Sequence, residues 1–175
     1  MKKEEKYLRK SYQHRDDLSG EHRYGDIGQL IFLIIFMLVW LSDAFIFKYS
    51  IFLEQYISNY IRVPIAMIIF IIAGYLAWKG MNTVFGRKRE KPHVITTGVF
   101  SVVRHPIYLA AILLYLGFIL LSLSLLSGLV WIFIIIFYYV ISLYEEKLLI
   151  KEFGSAYCEY MRKVPMFLPF TKKLR

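Results

Sequence analysis

The stretch VVRHPIYLA at 102–110 sets Arg104, His105 and Tyr108 against the start of a long apolar run. A second stretch, YEEKLLIKEFG at 144–154, puts two adjacent acids, Glu145 and Glu146, at the end of another. A guanidinium can pair a carboxylate through parallel N–H donors. A glutamate can attract a cationic centre or hold an amine or ribose hydroxyls, and tyrosine rings can pack on an aromatic base. Together these residue types suit a ligand carrying both signs of charge and an aromatic ring. Ionisable groups at membrane depth are functional candidates, although Arg, His and Tyr at helix ends also serve as plain interfacial anchors.

The elements that must position them follow from local spacing. Pro106 fits the first position of a helix, where its missing N–H costs nothing. His105, Tyr108, Ile112 and Tyr115 then fall at i, i+3, i+7 and i+10 on one face. On the last apolar run, Tyr139, Ser142 and Glu146 form one row and Tyr138, Ser142 and Glu145 another, making a polar stripe on an otherwise apolar helix. The short Ser/Leu connection between the two runs predicts an antiparallel hairpin. With its turn centred between Leu125 and Leu126, His105 faces Glu146. Gly154 reads as a helix C-cap and Ser155 as the N-cap of a short helix with Tyr157, Tyr160 and Met161 on one face. Pro165 and Pro169 end that helix, which is expected to lie at the interface and close over the hairpin mouth.

Composition places the assembly in a bilayer: 58% of the 175 residues are hydrophobic and 18% aromatic, with a mean hydropathy of +0.50, too apolar for a soluble domain of this size. Windows at 28–47, 61–78, 106–121 and 128–144 approach the ~20 residues a span requires. The predicted fold class is all-α: a polytopic membrane protein of about four transmembrane helices, with a C-terminal helical hairpin and short interfacial helix forming a cytoplasmic cofactor pocket. Residues 1–27 read as a charged cytoplasmic tail without an apolar signal-peptide core, and 28–175 as one membrane domain. Of the 22 Lys and Arg residues, 20 flank the first span's start, the 79–105 connection and the C-terminal segment. The positive-inside rule therefore makes both termini cytoplasmic.

Other function classes find little support. The net charge of +9 is spread over three juxtamembrane segments, which fits anionic lipid headgroups rather than nucleic acid. His14, His22, His93 and His105 are too scattered for a diiron or zinc site. No serine stands in a nucleophile elbow. The single cysteine, Cys158, reads as a reduced cytoplasmic thiol.

The ordered pattern G-x(5)-RHP-x-Y, the EE pair, FG-x(2)-Y-x(2)-Y and VP-x-F-x-P, spanning 96–169, resembles the C-terminal half of the isoprenylcysteine carboxyl methyltransferase and phospholipid methyltransferase superfamily. The resemblance implies a pocket for S-adenosylmethionine at the cytoplasmic face and a lipid tail entering from the membrane. It points to Gly98, Arg104, His105, Pro106, Tyr108, Glu145, Glu146, Tyr157 and Tyr160. Among these, Arg104 and Glu146 are the candidates for catalytic roles, Arg104 to orient an acceptor carboxylate and Glu146 or Glu145 to take a proton from an amine or thiol. Val99 and Ser101 stand where many members carry Pro and Arg, and Met166 replaces a common Arg. The implied partner is a lipid or a prenylated small molecule or protein; the minimal size points to a prokaryotic inner membrane, and the scattered histidines to no metal. The competing readings are an NADPH-dependent sterol-reductase-like enzyme and a non-catalytic membrane scaffold.

Overall fold

The computed structural model describes residues 23–86 and 93–169. Helix α1, Arg23–Leu41, continues as a π-helical turn, Ser42–Phe47. A 3-10 turn, Phe52–Gln55, leads to α2, Asn59–Phe85. A second 3-10 turn, Gly98–Ser101, precedes α3, Pro106–Ser122, then α4, Leu125–Phe153, and α5, Ser155–Lys163. All regular structure among the described residues is helical. Three segments are long and apolar enough to cross a bilayer, Ile27–Phe47, Asn59–Phe85 and Leu125–Phe153. The apolar α3 has 17 residues, about 25 Å of helix at 1.5 Å per residue. The chain is an integral membrane protein.

Every helix runs past the window its hydropathy predicts, because polar residues continue the backbone ladder beyond the apolar run. The expected tail at 1–27 ends earlier, since 23–26 already belong to α1; residues 1–22 lie outside the described residues.

Helix α2 packs along α3, and α1 against the α3–α4 hairpin. Ala66, Ala73 and Gly80 recur every seven residues on the buried side of α2. Small residues in that stripe let two backbones approach where water supplies no driving force between helices. A Cβ on Gly80 would lie 2.7 Å from Ile107, and one on Gly117 would lie 2.5 Å from Phe70. On the other side, Phe36, Ile112, Tyr115, Ile134 and Tyr138 form the core. The Trp40 indole donates to Phe118 O at 2.9 Å and to Ser122 at 3.1 Å, and that of Trp131 to Ile112 O at 2.9 Å.

Away from the chemistry, a second polar centre closes the bundle. Asp43 is 2% exposed. Its carboxylate accepts from Ser50 N at 3.0 Å, from the Ser50 hydroxyl, and from Ser124 Oγ at 2.5 Å. Ser124 in turn caps α4 through Ser127 N at 3.1 Å, and Ser50 accepts from Leu126 N at 3.0 Å. The hairpin turn is therefore Leu123 and Ser124, with Leu123 at φ 46, two residues before the expected centre. Lys48 at φ 54 donates to Asp43 O at 2.9 Å. Among the described residues these two non-glycines hold the left-handed region, each at a cost of about 1–2 kcal/mol, which the cage around Asp43 must offset.

Removing the acceptor strands that cage. Asp43→Ala should destabilise the fold by about 1–3 kcal/mol for each buried donor left unpaired. Gly117→Ala should do so by about 1–3 kcal/mol through overpacking against Phe70. Both are read as lower unfolding midpoints of the detergent-purified protein.

Candidate functional site

At the opposite end from Asp43, the N-terminus of α3 meets the C-terminal half of α4. Pro106 occupies the first turn of α3, and His105 flanks it with φ −121 and ψ 64. That backbone stays out of the α region, which a following proline disfavours. It turns Arg104 and His105 across the end of the hairpin.

Arg104 and Glu146 form a buried ion pair, Nε to Oε1 at 2.7 Å, with side chains 8% and 4% exposed. Nη1 of Arg104 donates to Met161 O at 3.0 Å and to Val164 O at 2.8 Å. The Arg104 backbone N–H donates to Pro165 O at 2.9 Å and that of His105 to Met166 O at 3.3 Å. None of these bonds uses Nη2. His105 bridges the acids, with Nε2 at 3.2 Å from Glu146 Oε1 and Nδ1 at 3.6 Å from Glu145 Oε2. The Tyr108 hydroxyl donates to Glu145, and the His105 and Tyr108 rings lie parallel with centroids 5.7 Å apart. Phe167 tilts over His105 at 6.0 Å.

The predicted facing of His105 and Glu146 is thus realised although the turn falls earlier than expected. His105 sits just outside α3, and the glutamate side chain leans toward the N-terminus of its own helix, so the two meet at one depth. The predicted polar stripe is narrower than drawn. Tyr138, Ser142 and Glu146 are buried, whereas Tyr139 is 49% exposed. Spacing of four keeps one row on the hairpin seam, and Tyr139 falls about 100° away.

Gly154, at φ 54 and ψ −126, ends α4 and begins α5 with no residue between. Ser155 is accordingly the first residue of α5 and not its N-cap. Tyr157 and Tyr160 are buried with Val164 against Val94, Leu149, Phe153 and Met161. The Tyr160 hydroxyl donates to Phe100 O at 2.6 Å, which ties α5 to the turn at Gly98–Ser101. Gly98 supplies the φ of 62 on which that turn starts. Burial pushes both tyrosine hydroxyls above their ordinary range, and the nearby Glu146 charge adds to it.

Two groups escaped sequence reasoning. The carbonyls of Met161 and Val164 carry no side-chain signal, though the VP-x-F-x-P pattern marks their segment. Asp43 was visible as an acid inside the 28–47 apolar window, which is the kind of residue that needs a buried partner.

Glu146→Ala should cost about 3–5 kcal/mol by leaving the Arg104 guanidinium buried and unpaired. Arg104→Leu combined with Glu146→Leu should recover part of that loss in a chemical-unfolding cycle. For the tyrosines, a neutral acid with a raised folded-state pKa stabilises the fold below its unfolded value near 10. That contribution is lost as pH rises through the folded value. Unfolding free energy should fall above about pH 10, and Tyr157→Phe with Tyr160→Phe should flatten the fall.

Comparison with known proteins bears on this geometry. A phospholipid methyltransferase family model matches residues 61–156, from α2 to the first turn of α5. The protein-S-isoprenylcysteine O-methyltransferase of Saccharomyces cerevisiae is 37% identical over 101 residues, covering 57% of this chain and 42% of the yeast protein. The chain thus spans less than half the length of that relative. No solved structure matches it. With more than half of its length matched, including Arg104, His105, Glu145 and Glu146, the chain belongs to the phospholipid methyltransferase family.

Proposed function

We propose that this protein is a membrane methyltransferase that uses S-adenosylmethionine and acts on a lipid or lipidated acceptor. The observation that carries the reading is the closed charge cluster Arg104–Glu146–His105–Glu145–Tyr108 at the end of an apolar hairpin. Family membership and the yeast relative's name support it.

The residues fit such a cofactor. It is zwitterionic, with an added sulfonium charge and an adenine ring. The cluster supplies two carboxylates, an Arg104 amino group outside the internal bonds, and the parallel rings of His105 and Tyr108. Ser142 Oγ, one turn from Glu146, is buried without a hydrogen-bond partner among the described residues. When bound, S-adenosylmethionine supplies a methyl group already activated by its sulfonium. The protein then has to align donor and acceptor and exclude water.

In this reading Glu145 and Glu146 hold the negative potential that favours a cationic ligand, and Arg104 receives a carboxylate through Nη2. Tyr157 and Tyr160 seal the site from solvent by holding α5 in place. A carboxylate acceptor needs no base, while an amine or thiol must lose a proton. Glu145 is the better placed of the acids to take it, because Glu146 is committed to Arg104. Residues 96–169 are then the cofactor-binding region of a single membrane domain, and the charge distribution supports placing this end and both termini on the cytoplasmic side.

S-adenosylhomocysteine should bind the detergent-purified parent by calorimetry. Glu145→Gln, which spares the ion pair, should weaken binding about tenfold, the worth of one charge-assisted hydrogen bond. A folded parent that ignores S-adenosylhomocysteine and binds NADPH would instead favour the reductase reading.

A further inference from the structure

The far end of the bundle, away from the charge cluster, presents an unusual surface. From the π-helical turn after α1 to the first turn of α2 the chain exposes six aromatic side chains: Phe45 65%, Phe47 59%, Tyr49 77%, Phe52 54%, Tyr56 75% and Tyr60 93%. Phe47 and Tyr49 stack with centroids 5.6 Å apart and planes 6° from parallel.

This segment is braced from behind, so the exposure is imposed by the fold. Asp43 holds Ser50 on one side. On the other, Arg62, 6% exposed, donates to Glu54 at 2.8 Å and to Asn59 at 2.6 Å. Asp43 and Arg62 are thus buried behind the segment and Ser50 and Glu54 partly so, while six aromatic rings face outward beside the exposed Lys48, Gln55, Ser58 and Asn59, an apolar share unusual for a loop built to face water.

Its depth is fixed by its neighbours. The segment joins two membrane spans, Ile27–Phe47 and Asn59–Phe85. Ser50 is hydrogen-bonded to the start of α4 through Leu125 N at 3.3 Å and Leu126 N at 3.0 Å. The hairpin turn marks where the apolar span ends, so the aromatic segment lies at that same membrane edge. Rings with an apolar body and a polar tip settle at the headgroup level. Charge contributes little: Glu54 is paired with Arg62 and Asp43 is caged, leaving Lys48.

We infer that 45–60 forms an aromatic apron that lies in the headgroup–acyl boundary of the leaflet opposite the charge cluster. It is held there by ring burial and is indifferent to lipid charge. The occupant of this surface is the lipid interface itself, and the inference stands whether or not the proposed enzymatic reading does.

The test uses the full chain with Cys158→Ser and a single Tyr49→Cys or Tyr56→Cys, each labelled with an environment-sensitive nitrobenzoxadiazole and reconstituted in vesicles. One set of vesicles is phosphatidylcholine alone and the other includes phosphatidylglycerol. A lipid carrying a nitroxide near the headgroup should quench the label at least about two-fold more than aqueous iodide does, equally in both compositions. Quenching by iodide alone would overturn the inference by placing the segment in water. Protection from both quenchers, with a cross-linkable pair of chains, would overturn it in favour of a second copy. Quenching that appears only with phosphatidylglycerol would overturn the charge-indifferent mode.

Discussion

A guanidinium buried at the end of an apolar bundle must find its acceptors inside the protein, and the arrangement around the site follows from how Arg104 meets that demand. Its charge is matched by Glu146, and its Nη1 hydrogens by the carbonyls of Met161 and Val164. Because those carbonyls belong to the last turn of α5 and the residue after it, neutralising the charge also fixes the C-terminal strap across the hairpin mouth. A buried pair of this kind is poor evidence for stability in itself, since desolvation cancels much of the attraction. Its structural value lies in tying three separated stretches of sequence to one point.

The other end of the bundle solves the same problem without a cation. The Asp43 carboxylate is surrounded by serine hydroxyls and a backbone N–H, a set of neutral donors that satisfies its oxygens. The two polar centres differ in what they can exchange. The serine cage is saturated from within and binds the chain to itself. The charge cluster retains an Arg104 amino group outside its internal bonds and sits beside a buried hydroxyl, Ser142 Oγ, with no partner among the described residues. Between them lies a span whose packing uses small residues on α2 and aromatic rings on α1, α3 and α4.

Much of this was legible in the sequence, for identifiable reasons. The hairpin and the meeting of His105 with Glu146 follow from two long apolar runs, a short connection and helical spacing, which are all local. The motif residues Arg104, His105, Tyr108, Glu145 and Glu146 gather at one mouth because the hairpin leaves them little choice. What periodicity could not give was the direction of hydrogen bonds to backbone. The anchoring of Arg104 to main-chain carbonyls, and of Tyr160 to Phe100 O, has no residue-type signature. Helical spacing places Tyr157 and Tyr160 on one face without saying what that face meets; in the folded chain they are packed among Val94, Leu149 and Val164, since a short helix must bury its own apolar face to stay in place. The assignment of Tyr139 to the seam failed because a helix offers one row, not two, to a single partner.

Helices α4 and α5 are joined through Gly154 with no intervening linker. The count of residues between Glu146 and Gly154 therefore acts as a gear setting. One residue added there would rotate everything beyond it by about 100° around the axis of α4. The face of α5 that carries Tyr157 and Tyr160 would then swing away from the mouth even though every side chain was kept. In this stretch chain length matters as much as side-chain identity, so substitutions at the exposed Lys147, Ile150, Lys151 and Glu152 can be tolerated where a single insertion or deletion cannot.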